Sequence, residues 1–317
     1  MSDELKVVAL GGGHGLAATL NALRSVTSNI TAVVTVADNG GSSGRLREEF
    51  PIFPPGDLRM ALAALCSDDE WGRSWAQIMQ YRFTSSGPLD GHAVGNLLLA
   101  ALWDKGEDAV AGLDRVGELL KIIGRVLPMA AVPLDIEATF KTHNGEVEVR
   151  GQKEVATAHG DLISLRIIPS NPPARTETLT AIADADLITM GPGSWFSSVL
   201  PHLLVPSQRD ALIQSKAKKL LLLNLDAGGS HETGEYAGQS ALDHLHIIQK
   251  YAPGLHFDFV AVDPSVLSAD HQLEKEVSTQ GGELIVADLR DSEEKIHHNP
   301  KKLTSLFAHI AEKILLG

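Results

Sequence analysis

The stretch Leu5-Lys6-Val7-Val8-Ala9-Leu10-Gly11-Gly12-Gly13-His14-Gly15-Leu16-Ala17-Ala18-Thr19-Leu20-Asn21-Ala22-Leu23 decides the fold. Leu5 to Leu10 is apolar apart from Lys6, the pattern of a strand buried on both faces. Three glycines end it, and Leu16, Leu20 and Leu23 then recur at helical spacing, so the segment reads strand, turn, helix. Ile30 to Val36 adds a second β-branched run, which makes the opening of the chain a βαβ unit with two parallel strands. The glycines fit G-x-G-x-x-A as Gly13, Gly15 and Ala18, where backbone N–H groups and a helix dipole can meet a pyrophosphate. Asp38, at the end of the second run, stands where a dinucleotide fold puts the carboxylate that bonds a ribose hydroxyl. By motif alone, this turn names NAD.

The residues after Asp38 argue for another ligand. Asn39-Gly40-Gly41-Ser42-Ser43-Gly44-Arg45-Leu46-Arg47 combines glycines, hydroxyls and guanidinium groups able to grip phosphate or carboxylate in two-point contacts. Gly40 to Pro55 is longer than a plain connector needs to be, and is read as a binding loop. Pro54-Pro55-Gly56-Asp57-Leu58-Arg59 opens the next helix, with Asp57 placed to cap it. Gly91-His92-Ala93-Val94-Gly95-Asn96 precedes a very apolar helix, so His92 and Asn96 sit at its N-terminal end. Gly191-Pro192-Gly193-Ser194 repeats the strand-to-glycine-turn logic after Leu187 to Met190, and in open parallel sheets ligands gather at the carboxyl ends of strands. The candidate ligand-binding residues are Gly12, Gly13, His14, Gly15, Asp38, Asn39, Ser42, Ser43, Arg45, Asp57, His92, Asn96, Gly191, Gly193 and Ser194. No catalytic residue is assigned.

Asp57 to Ala130 reads as largely helical, with Trp71, Trp75 and Trp103 as core or interface packing able to build a homodimer. From Pro133 the pattern alternates through Leu134, Ile136, Ala138 and Phe140. Asn144-Gly145 and a second alternation at Val147 and Val149 make a β-hairpin with a type I′ turn. Leu162 to Ile168 adds a strand, giving an antiparallel insertion from Pro133 to Pro173. The doubly wound pattern resumes at Leu187 to Met190. It continues at Leu220 to Leu225, which runs into Asp226-Ala227-Gly228-Gly229-Ser230, then at Phe257 to Val262 and a last strand, Glu283 to Ala287. Leu303, Leu306, Phe307, Ile310 and Ile314 mark a closing amphipathic helix. The predicted architecture is one Rossmann-like α/β domain over residues 1–317, three layers α/β/α with a mostly parallel sheet. It carries a helical segment at 57–130 and the small β-hairpin insertion at 133–173.

Composition narrows the function. A net charge of −13 argues against nucleic-acid binding, which needs a basic surface to release counterions, yet a local nest of N–H groups can still hold a small anion. The single cysteine, Cys66, excludes an internal disulfide and a cysteine-built zinc site, and is read as a small buried residue. No apolar run is long enough to span a bilayer, and Met1-Ser2-Asp3-Glu4 leads straight into a strand, so a cytoplasmic protein without membrane insertion is expected. His244 and His246 lie two apart on a predicted helix and His297 and His298 in a polar loop, which yields no zinc site. Neither a P-loop nor a nucleophile elbow is present.

Taken in order, Gly11 to Leu16, Val34 to Arg47, Pro54 to Asp57, His92 to Leu97 and Gly191 to Ser194 resemble the CofD-like family, most closely its YvcK branch, over nearly the whole chain. The resemblance implies a Rossmann-like fold and one of two functions. One branch holds the magnesium-dependent 2-phospho-L-lactate transferases, which move a phospholactyl group from a nucleotide onto a deazaflavin. The YvcK branch binds UDP-sugars such as UDP-N-acetylglucosamine without an established reaction, and is linked to cell shape and peptidoglycan synthesis on gluconeogenic carbon sources. His14 and Asn39 depart from the Thr and Asp that many members carry. The missing carboxylate leaves Asp38 as the remaining candidate ligand for Mg²⁺. The expectation is a UDP-sugar-binding regulator working with an unidentified cell-envelope partner, rather than an enzyme. Its pyrophosphate would lie against Gly12, Gly13, His14 and Gly15, with Ser42, Ser43 and Arg45 closing from the second loop and Gly193 and Ser194 from the third. Asp38 would bond a ribose or sugar hydroxyl, and His92 and Asn96 would line the crevice. The alternative is a transferase using Mg²⁺; an NAD(P) oxidoreductase ranks third, since no recognisable proton-donor pair accompanies the glycines.

Overall fold

The structure, a computed structural model, describes residues 4–143, 145–225, 239–267, 272–292 and 295–316. In chain order its strands are β1 (Val7–Gly11), β2 (Ile30–Val34), β3 (Arg125–Pro128), β4 (Asp135–Thr142), β5 (Gly145–Arg150), β6 (Asp161–Ile168), β7 (Leu187–Met190), β8 (Lys218–Leu222), β9 (Phe259–Val262), β10 (Glu283–Val286), β11 (Arg290–Ser292) and β12 (Lys295–His298). The apolar runs become the central strands because a sheet covered on both faces accepts only such runs: all of β1 and β7 is buried.

The central sheet is parallel, in the order β10-β9-β8-β7-β1-β2-β3, with Leu10 paired to Val33 on one side and to Met190 on the other. The chain winds outward from β1 through β2 to β3, returns to β7 beside β1, and winds outward again through β8, β9 and β10. That reversal makes a crevice at the carboxyl ends of β1 and β7, the place where open α/β sheets hold ligands. The predicted Rossmann-like architecture is the observed one.

The helices that shape the crevice are α1 (Gly13–Leu23), α2 (Gly41–Glu49), α3 (Pro55–Ala64), α4 (Glu70–Gln80), α5 (Val94–Asp104) and α6 (Ala109–Leu120). Leu16, Leu20 and Leu23 of α1 are buried, as their spacing requires. Nearly all of α3 is buried among α1, α4 and α5. The insertion is a three-stranded antiparallel sheet, β5-β4-β6, that buries Ile136, Ala138 and Phe140 of β4. Asn144 of the expected hairpin turn, and the run Asp226 to Ser230, lie outside the described residues.

Three expectations are corrected. Gly40 to Pro55 is not a binding loop throughout, because α2 occupies most of it. Ser42, Ser43 and Gly44 are buried in that helix, so the small side chains that suggested a loop are what lets it pack closely, and burial overrides weak helix propensity. The helical segment from Asp57 to Ala130 ends in a strand: β3 completes the ladder that β2 would otherwise expose, burying Val126 and Leu127. The sheet's last strand is followed by the β11-β12 hairpin, so His297 and His298 stand on a strand rather than in a loop.

Candidate functional site

The glycine turn closes β1 and starts α1. Gly13 adopts φ +56°, a left-handed conformation that side chains disfavour. A Cβ on Gly15 would overlap the backbone carbonyl of Pro192, so only glycine lets α1 approach the turn after β7 this closely. The Thr19 hydroxyl donates to the Gly191 carbonyl at 3.4 Å and adds a tie between the same two elements. Beneath the turn lies buried His202. Its Nδ1 meets the Gln208 amide nitrogen at 3.0 Å, leaving Nε2 to donate to the Gly11 carbonyl at 3.3 Å. Burial brings its pKa down to about 4, so the imidazole is neutral at physiological pH.

Asp57 does not cap its own helix. Pro54 holds the N-cap position of α3 without a side-chain bond. The Asp57 carboxylate crosses to the glycine turn instead, accepting from the Thr35 hydroxyl at 3.1 Å and from the Gly13 N–H. Burial, with the neighbouring charge of Asp38, pushes its pKa up to about 7. Ser43 Oγ accepts from the Gly56 N–H at 3.0 Å and so joins the first turns of α2 and α3. Arg59 Nε donates to Asn96 Oδ1 at 2.9 Å, Asn96 Nδ2 donates to Ser42 Oγ at 3.0 Å, and Ser42 lies 2.9 Å from His92 Nδ1. Burial lowers the His92 pKa, which favours a neutral ring whose Nδ1 can accept the Ser42 proton. Ser42, Ser43, His92 and Asn96 therefore hold the first turns of α2, α3 and α5 together.

The consequence is a convergence of helix ends. α1, α2, α3 and α5 begin at Gly12, Gly40, Pro54 and Ala93, and none of these residues supplies a capping side chain. By contrast, Asp69 and Asp108 cap α4 and α6. Four positive dipole ends thus gather at the sheet's carboxyl edge, with the carboxylates of Asp38 and Asp57 among them.

Asp38 Oδ1 accepts from the Gly40 N–H at 2.8 Å, and its carbonyl accepts from Arg47 at 3.2 Å. Asn39 turns away from the crevice. Its Oδ1 accepts the Gln152 N–H at 2.9 Å, and its Nδ2 donates to Glu154 at 3.2 Å, clasping the insertion to the end of β2. Arg45 donates to the carbonyls of Pro88 at 3.3 Å and Asp90 at 2.5 Å, alongside a hollow of about 530 Å³ that Ser42 and Arg82 also line. On the third turn, Asn224 grips the Gly193 peptide from the end of β8, accepting its N–H and donating to its carbonyl, each at 2.9 Å. Ser194 caps a π-helical turn, Trp195–Val199, accepting from the Ser197 N–H at 3.1 Å.

A second hollow, about 410 Å³, opens between α1 and the third turn, lined by His14, Gly15, Ala18, Pro192, Gly193, Asn224, Leu225, His297 and His298. Sequence reasoning missed Asn224, His297 and His298. A strand-end Asn was the only signal for the first. Nothing local marked the two histidines, because the β11-β12 hairpin brings them there from the far end of the chain. Among the described residues no group of three or more His, Cys, Asp or Glu is arranged to hold a metal ion. Asp38 and Asp57 nonetheless offer the hard carboxylate oxygens that suit a Mg²⁺ held mainly by water and phosphate, and a cation there would offset the Asp38 charge that, after burial, raises Asp57.

A parallel sheet reversing beside β1, with glycine turns after β1 and β7, defines a Rossmann-type α/β protein, whose candidate site is the crevice at the switch point. Within that class, the family described as 2-phospho-L-lactate transferase CofD matches residues 7–304, and the chain belongs to the CofD family. It is 46% identical over 307 residues to a protein of Mycobacterium tuberculosis (strain CDC 1551 / Oshkosh) named "Putative gluconeogenesis factor", covering 95% of this chain and 88% of that one. The "Gluconeogenesis factor" of Halalkalibacterium halodurans is 39% identical over 245 residues, 77% of this chain and 73% of the relative. A crystal structure of a UPF0052 family member from Bacillus halodurans superposes with a TM-score of 0.82 at 32% identity, over 99% of this chain and 100% of that one.

Proposed function

We propose that the chain binds a nucleotide-sugar of the UDP-N-acetylglucosamine type across the ends of β1, β2 and β7, and acts as a regulator of cell-envelope synthesis and central carbon metabolism through a protein partner that reads the bound state. The observation that carries this reading is the convergence of four helix N-termini whose own N-cap residues, Gly12, Gly40, Pro54 and Ala93, supply no capping side chain. Such ends attract an anion with two or more phosphates, and the glycine turn leaves room for backbone approach. The hollow beside His14 is large enough for a nucleoside or sugar group, and its histidines and Asn224 offer polar partners for one. Calorimetry with UDP-N-acetylglucosamine, GDP and NAD tests the proposal. Saturable binding of the UDP-sugar is expected; binding of NAD alone, or of none of the three, rejects it.

One observation favours the transferase reading. The pair Asp38 and Asp57 is the donor set that would hold Mg²⁺, which when bound supplies charge neutralisation at phosphate. On that reading, Mg²⁺-dependent product forms with a deazaflavin acceptor and is lost in Asp38→Asn. Absence of product across nucleotide donors leaves the regulator.

A further inference from the structure

The start of α2 gathers positive charge in a chain whose net charge is −13. Gly41, Ser42, Arg45 and Arg82 line the hollow of about 530 Å³ there, together with Glu48 and Asp90. It shares no lining residue with the hollow beside His14. Carbonyl oxygens orient both exposed guanidiniums: Arg45 donates to Pro88 and Asp90, and Arg82 donates to Gly91 at 2.8 Å. A carbonyl fixes a guanidinium without neutralising its charge. Neither arginine forms an ion pair among the described residues, whereas Arg24, Arg47, Arg125, Arg150 and Arg175 each hold an aspartate. The Asp90 carboxylate accepts from the Ser85 N–H at 2.9 Å instead.

Behind Ser42 a third guanidinium is buried. Arg59 is 3% exposed, and its Nη1 has no hydrogen-bond partner. Its Nε reaches Ser42 through Asn96, and a Cβ on Gly95 would overlap its Cγ and Cδ, so the side chain stands between the first turns of α2 and α5. Burial and the nearby charge of Arg82 bring its pKa down to about 10, and neither Asp38 nor Asp57 comes within ion-pair distance. A buried cation and an unmade N–H bond are both costly, and an anion relieves both. The first-turn N–H groups of α2, which no side chain caps, are further donors. Three guanidiniums and a helix N-terminus suit a tetrahedral oxyanion that accepts from several directions, and exceed what one planar carboxylate takes. We propose that this hollow is a second anion site, taking a phosphomonoester or inorganic phosphate against Arg45, Arg82 and the first turn of α2, with the Arg59 charge behind Ser42. It does not rest on the nucleotide-sugar reading, because Arg45 is turned to this hollow by its bonds to Pro88 and Asp90.

Phenylglyoxal modification of the full chain, followed by peptide mass spectrometry, reads the site residue by residue. Inorganic phosphate should protect Arg45 and Arg82 saturably and leave Arg73 of α4, also exposed and without an ion pair among the described residues, unprotected. Arg82→Gln should raise the phosphate concentration that half-protects Arg45 about tenfold or more. Its far-ultraviolet circular dichroism should match wild type, because the position is exposed. Glycerol 3-phosphate separates the two sources: tighter protection than by inorganic phosphate supports a phosphomonoester, and equal or weaker protection supports free phosphate. Saturating UDP-N-acetylglucosamine should leave the phosphate protection in place. No protection by either phosphate, equal protection of Arg73, no change in Arg82→Gln, or displacement of phosphate by the UDP-sugar overturns the proposal. A UDP-sugar that does not bind rejects the nucleotide-sugar reading and leaves the phosphate result to decide this one.

Discussion

Asp57 places a carboxylate against the turn where α1 begins, and burial beside Asp38 makes that carboxylate hold its proton up to about 7. In the unfolded chain it titrates near the ordinary value of about 4. Between these values the folded state binds more protons than the unfolded one, so this residue lowers stability as pH rises from about 4 to about 7. Asp57→Asn is expected to raise the urea midpoint at about pH 8 relative to wild type and to leave it nearly unchanged at about pH 4. His202 acts with the opposite slope. Its folded value of about 4 lies below the free imidazole's 6.5, so stability is lost as pH falls through that window. His202→Gln should remove that acid-side loss, measured in the same titration. Gly15→Ala sets a methyl group into the Pro192 carbonyl, and backbone cannot give way as a flexible side chain can. A loss of about 2–4 kcal/mol in urea denaturation is expected, together with loss of ligand binding.

The second turn shows how elements share a residue. Asn39 joins the end of β2 to the short helix Gln152–Ala156 of the insertion, using its oxygen as acceptor and its nitrogen as donor to Glu154. An Asp there would keep the acceptor and set a second carboxylate against Glu154. Asn39→Asp should therefore cost about 1–2 kcal/mol, and adding Glu154→Gln should recover most of it in a double-mutant cycle. The Asn39 amide is thus matched by its partner on the insertion. Elements with a strong period were legible in sequence: β1, α1, the alternating insertion and the closing helix Pro300–Leu316. α2 was not, because its glycines and serines become helical only when packed against α3 and α5. β3 was not, because Arg125–Pro128 is too short to show a period and is defined by its pairing with β2.

At the scale of the whole molecule, a ligand bound as proposed across β1, β2 and β7 would tie together both halves of the sheet. UDP-N-acetylglucosamine at about a hundred times its dissociation constant should stabilise the fold by about 2.7 kcal/mol, raising the melting temperature by about 4 °C, read by calorimetry. A thermal midpoint that does not move would count against the nucleotide-sugar reading. Sequence alone determined the parallel architecture, the glycine turn after β1, the second turn at Gly191 and the family, because each rests on a local pattern of burial or backbone freedom. Only the tertiary structure decided what the polar residues between these landmarks do. Asp57 reaches across to another helix, Ser42, Ser43, His92 and Asn96 bond one another, and His297 and His298 arrive beside His14 from the opposite end of the chain. A hydrogen bond depends on where two groups meet in space, and that meeting is set by the packing of whole helices rather than by the spacing of residues along the chain.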